Sequence, residues 1–298
     1  NECTYHWRCD KEVLGSMFGF AGWNFIGATS AILRDQGGNI VINLFCGPTV
    51  NAAKGISMQV NSAITAFVRN FMTALNPQIT KSYATGENEY MMTLLFQGAR
   101  LSFYMLLLLS LPILFNTHYI LEVWLKTVPN HAVLFVQLIL VFAMCESVSN
   151  PLITAMLATG NIRNYQIVVG GLQMMNLPLS YICLKFGFIP ESVLIIAIII
   201  SICCLAARLY MLRRMIGLSP KLYARKVIVN IVVVTILSSI LPYVISQYLN
   251  EGFSSFLVIT ALTFICTTLT ILYVGCSQTE RVIVIEKVSN LKKKILKS

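Results

Sequence analysis

The sequence predicts an all-α integral membrane protein with eight transmembrane helices, and three observations predict it. Hydrophobic residues make up 56% of the 298 and charged residues only 11%, with a mean hydropathy of +0.73. A soluble domain carries about 25% charged residues, so this chain lacks the polar coat that would dissolve it. Six long apolar runs match the roughly 20 residues needed to cross a hydrocarbon core of about 30 Å. The basic residues, finally, alternate from one connecting segment to the next. A net charge of +10 would point to nucleic acid on a soluble protein; on a membrane protein it is the expected surplus of cytoplasmic Lys and Arg. Secreted, disordered, collagen-like and nucleic-acid-binding classes are set aside.

Residues 1–12 read as a cytoplasmic connector. The chain opens on Asn1 without the basic stretch and short apolar core of a signal peptide, and it is expected to be the later part of a longer protein. Cys3, His6 and Cys9 imitate the start of a zinc cluster but have no fourth ligand nearby, so no metal site is expected. The nine cysteines are odd in number and mostly lie in apolar runs, which argues against a disulfide framework.

The membrane domain is expected over 13–276. Its first helix, 13–46, is rich in small residues (Gly15, Gly19, Ala21, Gly22, Gly27, Ala28), which let helices approach closely in lipid. Straight, it would be about 50 Å long, so a break is expected at Gly37-Gly38. The second helix is expected over 49–75, with Gly47-Pro48 as the stop before it and Asn76-Pro77 as the stop after it. The remaining six are expected over 91–115, 132–158, 165–184, 192–212, 227–246 and 256–276. Leu111-Pro112, Leu177-Pro178 and Leu241-Pro242 recur at spacings of 66 and 64 residues, a faint echo of repeated hairpins. Residues 277–298 form a basic tail with Lys292, Lys293, Lys294 and Lys297. It reads as a solvated topology signal, or else as an amphipathic helix on anionic lipid.

Eight crossings put both ends on one side. The segments 1–12, 76–100, 159–164, 208–226 and 277–298 hold 17 of the 22 Lys and Arg, and the alternate loops hold only Lys126 and Lys185. By the positive-inside rule both ends are cytoplasmic.

No catalytic constellation is visible: no nucleophile–His–acid order, no phosphate loop with its Lys, and no paired carboxylates on one helix. The chain is therefore not read as an enzyme, and no cofactor is expected. What the sequence does offer is charge inside helices. A charge in lipid costs at least about 2.5–3.5 kcal/mol, so it faces a wet cavity or a partner. At 100° per residue, Lys54, Asn61, Thr65 and Arg69 share one face of the second helix over about 22 Å, with Ala63, Phe67 and Phe71 behind. That stripe suits a hydrated groove receiving an anion. For Arg69 the competing reading is a side chain snorkelling to cytoplasmic headgroups.

Arg34 and Asp35 are adjacent and, as neighbours on a helix, are expected to meet different partners. Arg34 offers a planar fork to a phosphate, and Asp35 is placed to orient it or to pair with Lys54. Glu146 is the lone acid of a greasy helix, with Asn150 four residues on. The pair reads as a proton- or cation-coupling site, or as a protonated Glu hydrogen-bonded within the bundle. Gln173 and Asn176 are weaker candidates for lining or interhelical glue.

The stretch from Gly22 to Gly86 is more specific than its composition. It carries Gln36-Gly37, Asn39, Gly47-Pro48, Asn51-Ala52-Ala53, Gly55-Ile56, Gln59-Val60, Asn76-Pro77-Gln78 and Lys81-Ser82-Tyr83. With these it resembles the polysaccharide-biosynthesis (O-antigen, Wzx-type) flippases of the multidrug/oligosaccharidyl-lipid/polysaccharide exporter superfamily. The resemblance implies the second lobe, helices seven to fourteen, of a two-lobed transporter with a central cavity. Where the family pattern has Arg after Asn-Ala-Ala, this chain has Lys54, which keeps the charge and loses the bidentate fork.

What the resemblance implies is flipping of polyprenyl-diphosphate-linked oligosaccharide across the bacterial inner membrane, with Arg34, Lys54, Asp35, Asn61 and Arg69 lining the substrate path. Partners on this reading are the lipid-linked substrate, membrane lipid, and a polysaccharide polymerase with its chain-length proteins. The alternatives are a multidrug or cation antiporter of the same superfamily, or a membrane-embedded polysaccharide polymerase.

Overall fold

The computed structural model describes residues 11–249, 252–278, 280 and 281. The expected connector with Cys3, His6 and Cys9 lies outside the described residues save Lys11 and Glu12, and so does most of the basic tail, including Lys292, Lys293, Lys294 and Lys297. The described residues are all-helical, with no strand among them, and six helices are long and apolar enough to cross a membrane. This is the architecture of a multi-pass membrane protein.

The chain folds as α1 (Lys11–Ala84), α2 (Asn88–Phe115), α3 (Thr117–Leu125) and α4 (Ala132–Ala158). It continues as α5 (Arg163–Lys185), α6 (Ser192–Ile216), α7 (Pro220–Ser246) and α8 (Phe253–Gly275). Short α3 falls where a loop was expected. α4 forms the centre, touching α1, α2, α3 and α6, while α5 packs on α1 and α6. α7 and α8 form a hairpin against each other and against α2.

α1 consists of two limbs joined at Gly47, whose φ of 83° and ψ of 174° interrupt the helix. A positive φ suits glycine alone at little cost, and Pro48 then opens the second limb with its fixed φ and missing N–H. Gly37-Gly38 is not the break; the first limb runs through it as regular helix. The two glycines serve contact instead. A Cβ at Gly37 would lie 2.4 Å from Leu177 Cδ1 of α5, and one at Gly38 would lie 2.8 Å from Lys54 Nζ. Removing side chains here lets α5 and the second limb close on the first, as small residues do between helices in lipid.

Asn76-Pro77 does not stop the second limb either. The helix continues through Pro77 to Ala84, with Asn76 Oδ1 accepting the Thr154 hydroxyl of α4 at 2.8 Å and Thr80 Oγ1 donating to Asn76 O at 3.0 Å. The carbonyl that Pro77 has no N–H to bond is that of Thr73, one turn earlier, and its loss does not end the helix. Pro178 does leave a mark: α5 loosens to a turn at Met175, one residue after the carbonyl that Pro178 has no N–H to bond. Pro112 and Pro242 lie within continuous helices.

Cross-helix pairs fix the directions. Trp23 meets Arg163, Gly27 meets Gln166 and Gly37 meets Leu177, so the first limb and α5 run the same way. His131 meets Glu191 and Glu146 meets Ser201, so α4 and α6 run together in the opposite sense. Seven described cysteines are free, and no group of three metal-ligating side chains occurs among the described residues.

Candidate functional site

Two adjoining pockets lie along α1 and α4, the first closed by α5 and α6 and the second by α2, and they share Arg34, Asn61 and Phe142. The first, of about 120 Å³, gathers Arg34, Asp35, Lys54, Asn61 and Asn176 against apolar walls from α4 and α6. The second, of about 190 Å³, gathers Arg34, Asn61, Thr65, Arg69, Glu146 and Asn150. Arg34, Asp35, Lys54, Asn61, Arg69, Glu146 and Asn150, with Thr65 and Asn176, each line one or both of these adjoining pockets. Each pocket holds a few waters or a phosphate-sized group; drug-sized ligand sites run to about 300–1,000 Å³.

Arg34 is the hinge of the arrangement. Its Nε donates to Asp35 Oδ1 at 2.9 Å, its Nη1 lies 3.9 Å from Glu146 Oε2, and its guanidinium sits 5.2 Å from the centre of the Phe142 ring. The expectation that Arg34 and Asp35 meet different partners is thus corrected. Their Cα–Cβ bonds diverge by about 100°, but the long arginine arm bends across that gap when both face the same groove. Asp35 does not pair with Lys54. Among the described residues Lys54 makes no salt bridge, although Asp35 acts on it electrostatically. Lys54 is only 4% exposed, and its ammonium occupies the space left by Gly38.

Arg69 is exposed and turns back along its own helix, with Nη2 donating to Ser62 O at 3.3 Å. Its arm points away from the Ala84 end of the limb. That is the opposite direction from the snorkelling reading, which would carry it toward the segment 76–100. Asn61 contributes Oδ1, a buried acceptor with no partner, where the two pockets meet.

Glu146 is bonded rather than isolated. Ser201 Oγ of α6 donates to its Oε1 at 2.5 Å, and the Arg34 guanidinium stands beside the other oxygen. Ser201 comes 55 residues later in sequence, and no local pattern points from one to the other. Asn176 is buried at 3% and accepts from Ser180 at 3.2 Å, while Gln173 reaches neither pocket.

One functional candidate was missed altogether. Arg208, counted among the loop cations of 208–226, lies inside α6 at 1% exposure, with Nε and Nη1 unpartnered. The signal was available in its spacing: Ser201, Cys204 and Arg208 stand at i, i+3 and i+7 on one face.

Chemically, three cations and two carboxylates meet in a small, polar, partly buried recess flanked by apolar helices. Such a recess can hold an anionic group on Arg34 and Lys54 while Asp35 and Glu146 balance them in its absence. No protein-family model, no curated protein and no solved structure matches this chain.

Proposed function

We propose that this chain is the second lobe, eight crossings corresponding to helices seven to fourteen, of a two-lobed flippase for polyprenyl-diphosphate-linked oligosaccharides. Its place is the bacterial inner membrane, with both ends of the chain cytoplasmic by the alternation of basic segments. The observation that carries the reading is the convergence of Arg34, Lys54 and Arg69 on adjoining pockets inside an apolar bundle. A diphosphate crossing about 30 Å of hydrocarbon unaided would lose its hydration at prohibitive cost. Fixed cations in a wet recess lower that cost.

The pockets are too small for sugars as they stand, so passage requires the lobes to part, with the lipid tail remaining in the bilayer. Rocking of two helical lobes about a midplane site provides such opening. On this reading a polysaccharide polymerase and chain-length proteins receive the product.

The test is leaflet exchange of a fluorescent polyprenyl-diphosphate-linked oligosaccharide in inner-membrane vesicles carrying the protein. The labelled lipid is expected to change leaflet at unchanged mass. A product of altered mass points to the polymerase reading. Movement of a cationic dye in its place points to the antiporter reading.

A further inference from the structure

Arg208 poses a physical problem that the site as described does not solve. A guanidinium at 1% exposure, with two N–H groups lacking any acceptor, is an uncompensated buried charge, and such charges persist only where something pairs with them. Among the described residues no carboxylate lies within salt-bridge distance of it in this state.

A candidate partner is indicated by two observations and one rule of helix geometry. Cys204, one turn from Arg208, is itself 1% exposed and lies in the fields of Arg208, Glu146 and Arg34 together, so these groups form one electrostatic cluster across α1, α4 and α6. Glu146 is already tied to Arg208's helix through Ser201 Oγ, on the face that also carries Arg208. Side chains on a helix lean toward its N-terminus, so the Arg208 arm leans toward Ser201, about 10 Å up the axis, and hence toward Glu146. Meanwhile the hold of Glu146 on Arg34 is loose: 3.9 Å, against 2.9 Å from Arg34 Nε to Asp35.

We propose that Arg208 is the alternate counter-ion of Glu146. In the state described, Glu146 faces Arg34 and Arg208 stands idle. When an anionic diphosphate takes the Arg34 fork, the Glu146 carboxylate swings along α6 to Arg208. The exchange keeps the Glu146 carboxylate paired in both states, gives Arg208 a partner when the ligand is bound, and makes release of Arg34 to the ligand inexpensive. The ligand half of this statement rests on the headgroup reading above; the Glu146–Arg208 pairing does not.

The experiment therefore begins without ligand. The full chain in detergent micelles is compared as wild type, Arg34→Met, Arg208→Met and the double variant, each also with Glu146→Gln. If Arg208 takes over Glu146 when Arg34 is lost, Arg34→Met is tolerated. The double variant then loses at least about 4 °C of Tm more than the two single losses combined, since it leaves the carboxylate without any cation. Glu146→Gln restores that excess. Additive losses overturn the pairing. If the double variant gives no monodisperse peak, Glu146→Gln must return it, and failure to do so also overturns the pairing.

Binding of polyprenyl diphosphate to the same wild-type and Arg208→Met chains is read in parallel. Roughly tenfold weaker binding in the variant is expected, because Glu146 then keeps Arg34. Coupled Tm losses in a chain that binds no polyprenyl diphosphate uphold the pairing and sink the headgroup reading.

Discussion

The α7–α8 hairpin and the bundle around α4 are built on opposite plans. α7 and α8 are more apolar than α2, yet only 22% and 17% of their apolar windows are buried, against 56% in α2 and in α4. In water that order would be perverse, because α7 and α8, greasier than α2, would be the more exposed. In lipid it is expected: a helix surrounded by hydrocarbon needs no protein neighbour to cover its side chains, and polar groups turn inward. The inward groups are present. Ser102, Ser110, Ser147, Ser149 and Ser201 are buried inside the bundle, and every charge of the two pockets comes from α1 or α4. Residues 229–246 and 253–270 of the hairpin contain no charged residue at all. The bundle holds the chemistry; the hairpin meets the bilayer.

The largest effect is expected from reversing one charge in the bundle. Lys54→Glu places a third carboxylate beside Asp35, where the ammonium now fills the space left by Gly38. Headgroup transport should fall by at least about 100-fold, the loss expected when a buried cation becomes a like charge to the ligand. Membrane insertion, read by alkaline extraction, should be retained. Transport at the wild-type rate would remove Lys54 from the path.

Next in size is a steric test of the bundle's packing. A Cβ on Gly98 of α2 would lie 2.4 Å from Leu75 Cδ2 and 3.2 Å from Pro151 Cγ. Leu75 can turn aside, but the proline ring cannot. Gly98→Val should cost about 2 kcal/mol by overpacking, seen as a Tm lower by about 5 °C. An unchanged Tm would mean that α2, α4 and the second limb of α1 are looser than their contacts imply.

Reading the sequence went furthest where the physics is local. A run of apolar residues long enough for the bilayer is visible without any partner, and 132–158 is helical over Ala132–Ala158. The 100° periodicity placed Lys54, Asn61, Thr65 and Arg69 on one face, and all four reach the pockets. What stayed hidden depends on neighbours distant in the chain. Gly37-Gly38 looked like a flexible joint, and only Leu177 and Lys54 reveal it as a contact surface. Pro77 looked like a terminator, yet the helix runs on to Ala84, with Thr154 of α4 bonding the Asn76 side chain beside it. Arg208 looked like a loop cation because it falls where the expected helix 192–212 overlaps the basic segment 208–226, and only the packing around α6, which runs to Ile216, shows it buried.

A smaller effect should appear where the two regions join. Arg100 of α2 donates to Glu280 at 2.7 Å and to Gly275 O at 3.4 Å, while Tyr104 OH donates to Asn230 of α7 at 2.5 Å. Arg281 caps two more carbonyls at the end of α8, Leu272 O and Tyr273 O. Arg100→Gln removes the ion pair, whose side chains are 14% and 15% exposed, and should cost about 1 kcal/mol. The expected signature is local: faster proteolysis after Arg281, with the Tm of the bundle nearly unchanged. A general loss of stability would show instead that the hairpin supports the bundle.

The smallest effect belongs to the hairpin's outer face, and it decides whether lipid is all that face meets. Ile265 is 56% exposed in the middle of α8. Ile265→Leu keeps volume and polarity, so against fluid acyl chains it should change stability by less than about 0.5 kcal/mol. Against a fitted protein surface the same swap moves one methyl group from its seat and typically costs up to about 1.5 kcal/mol. The Tm is expected to be unchanged in micelles and in lipid nanodiscs alike. A drop seen only in nanodiscs, at high protein density, would mean that a second protein surface packs on α8, and the division between a working bundle and a lipid-facing hairpin would have to be redrawn.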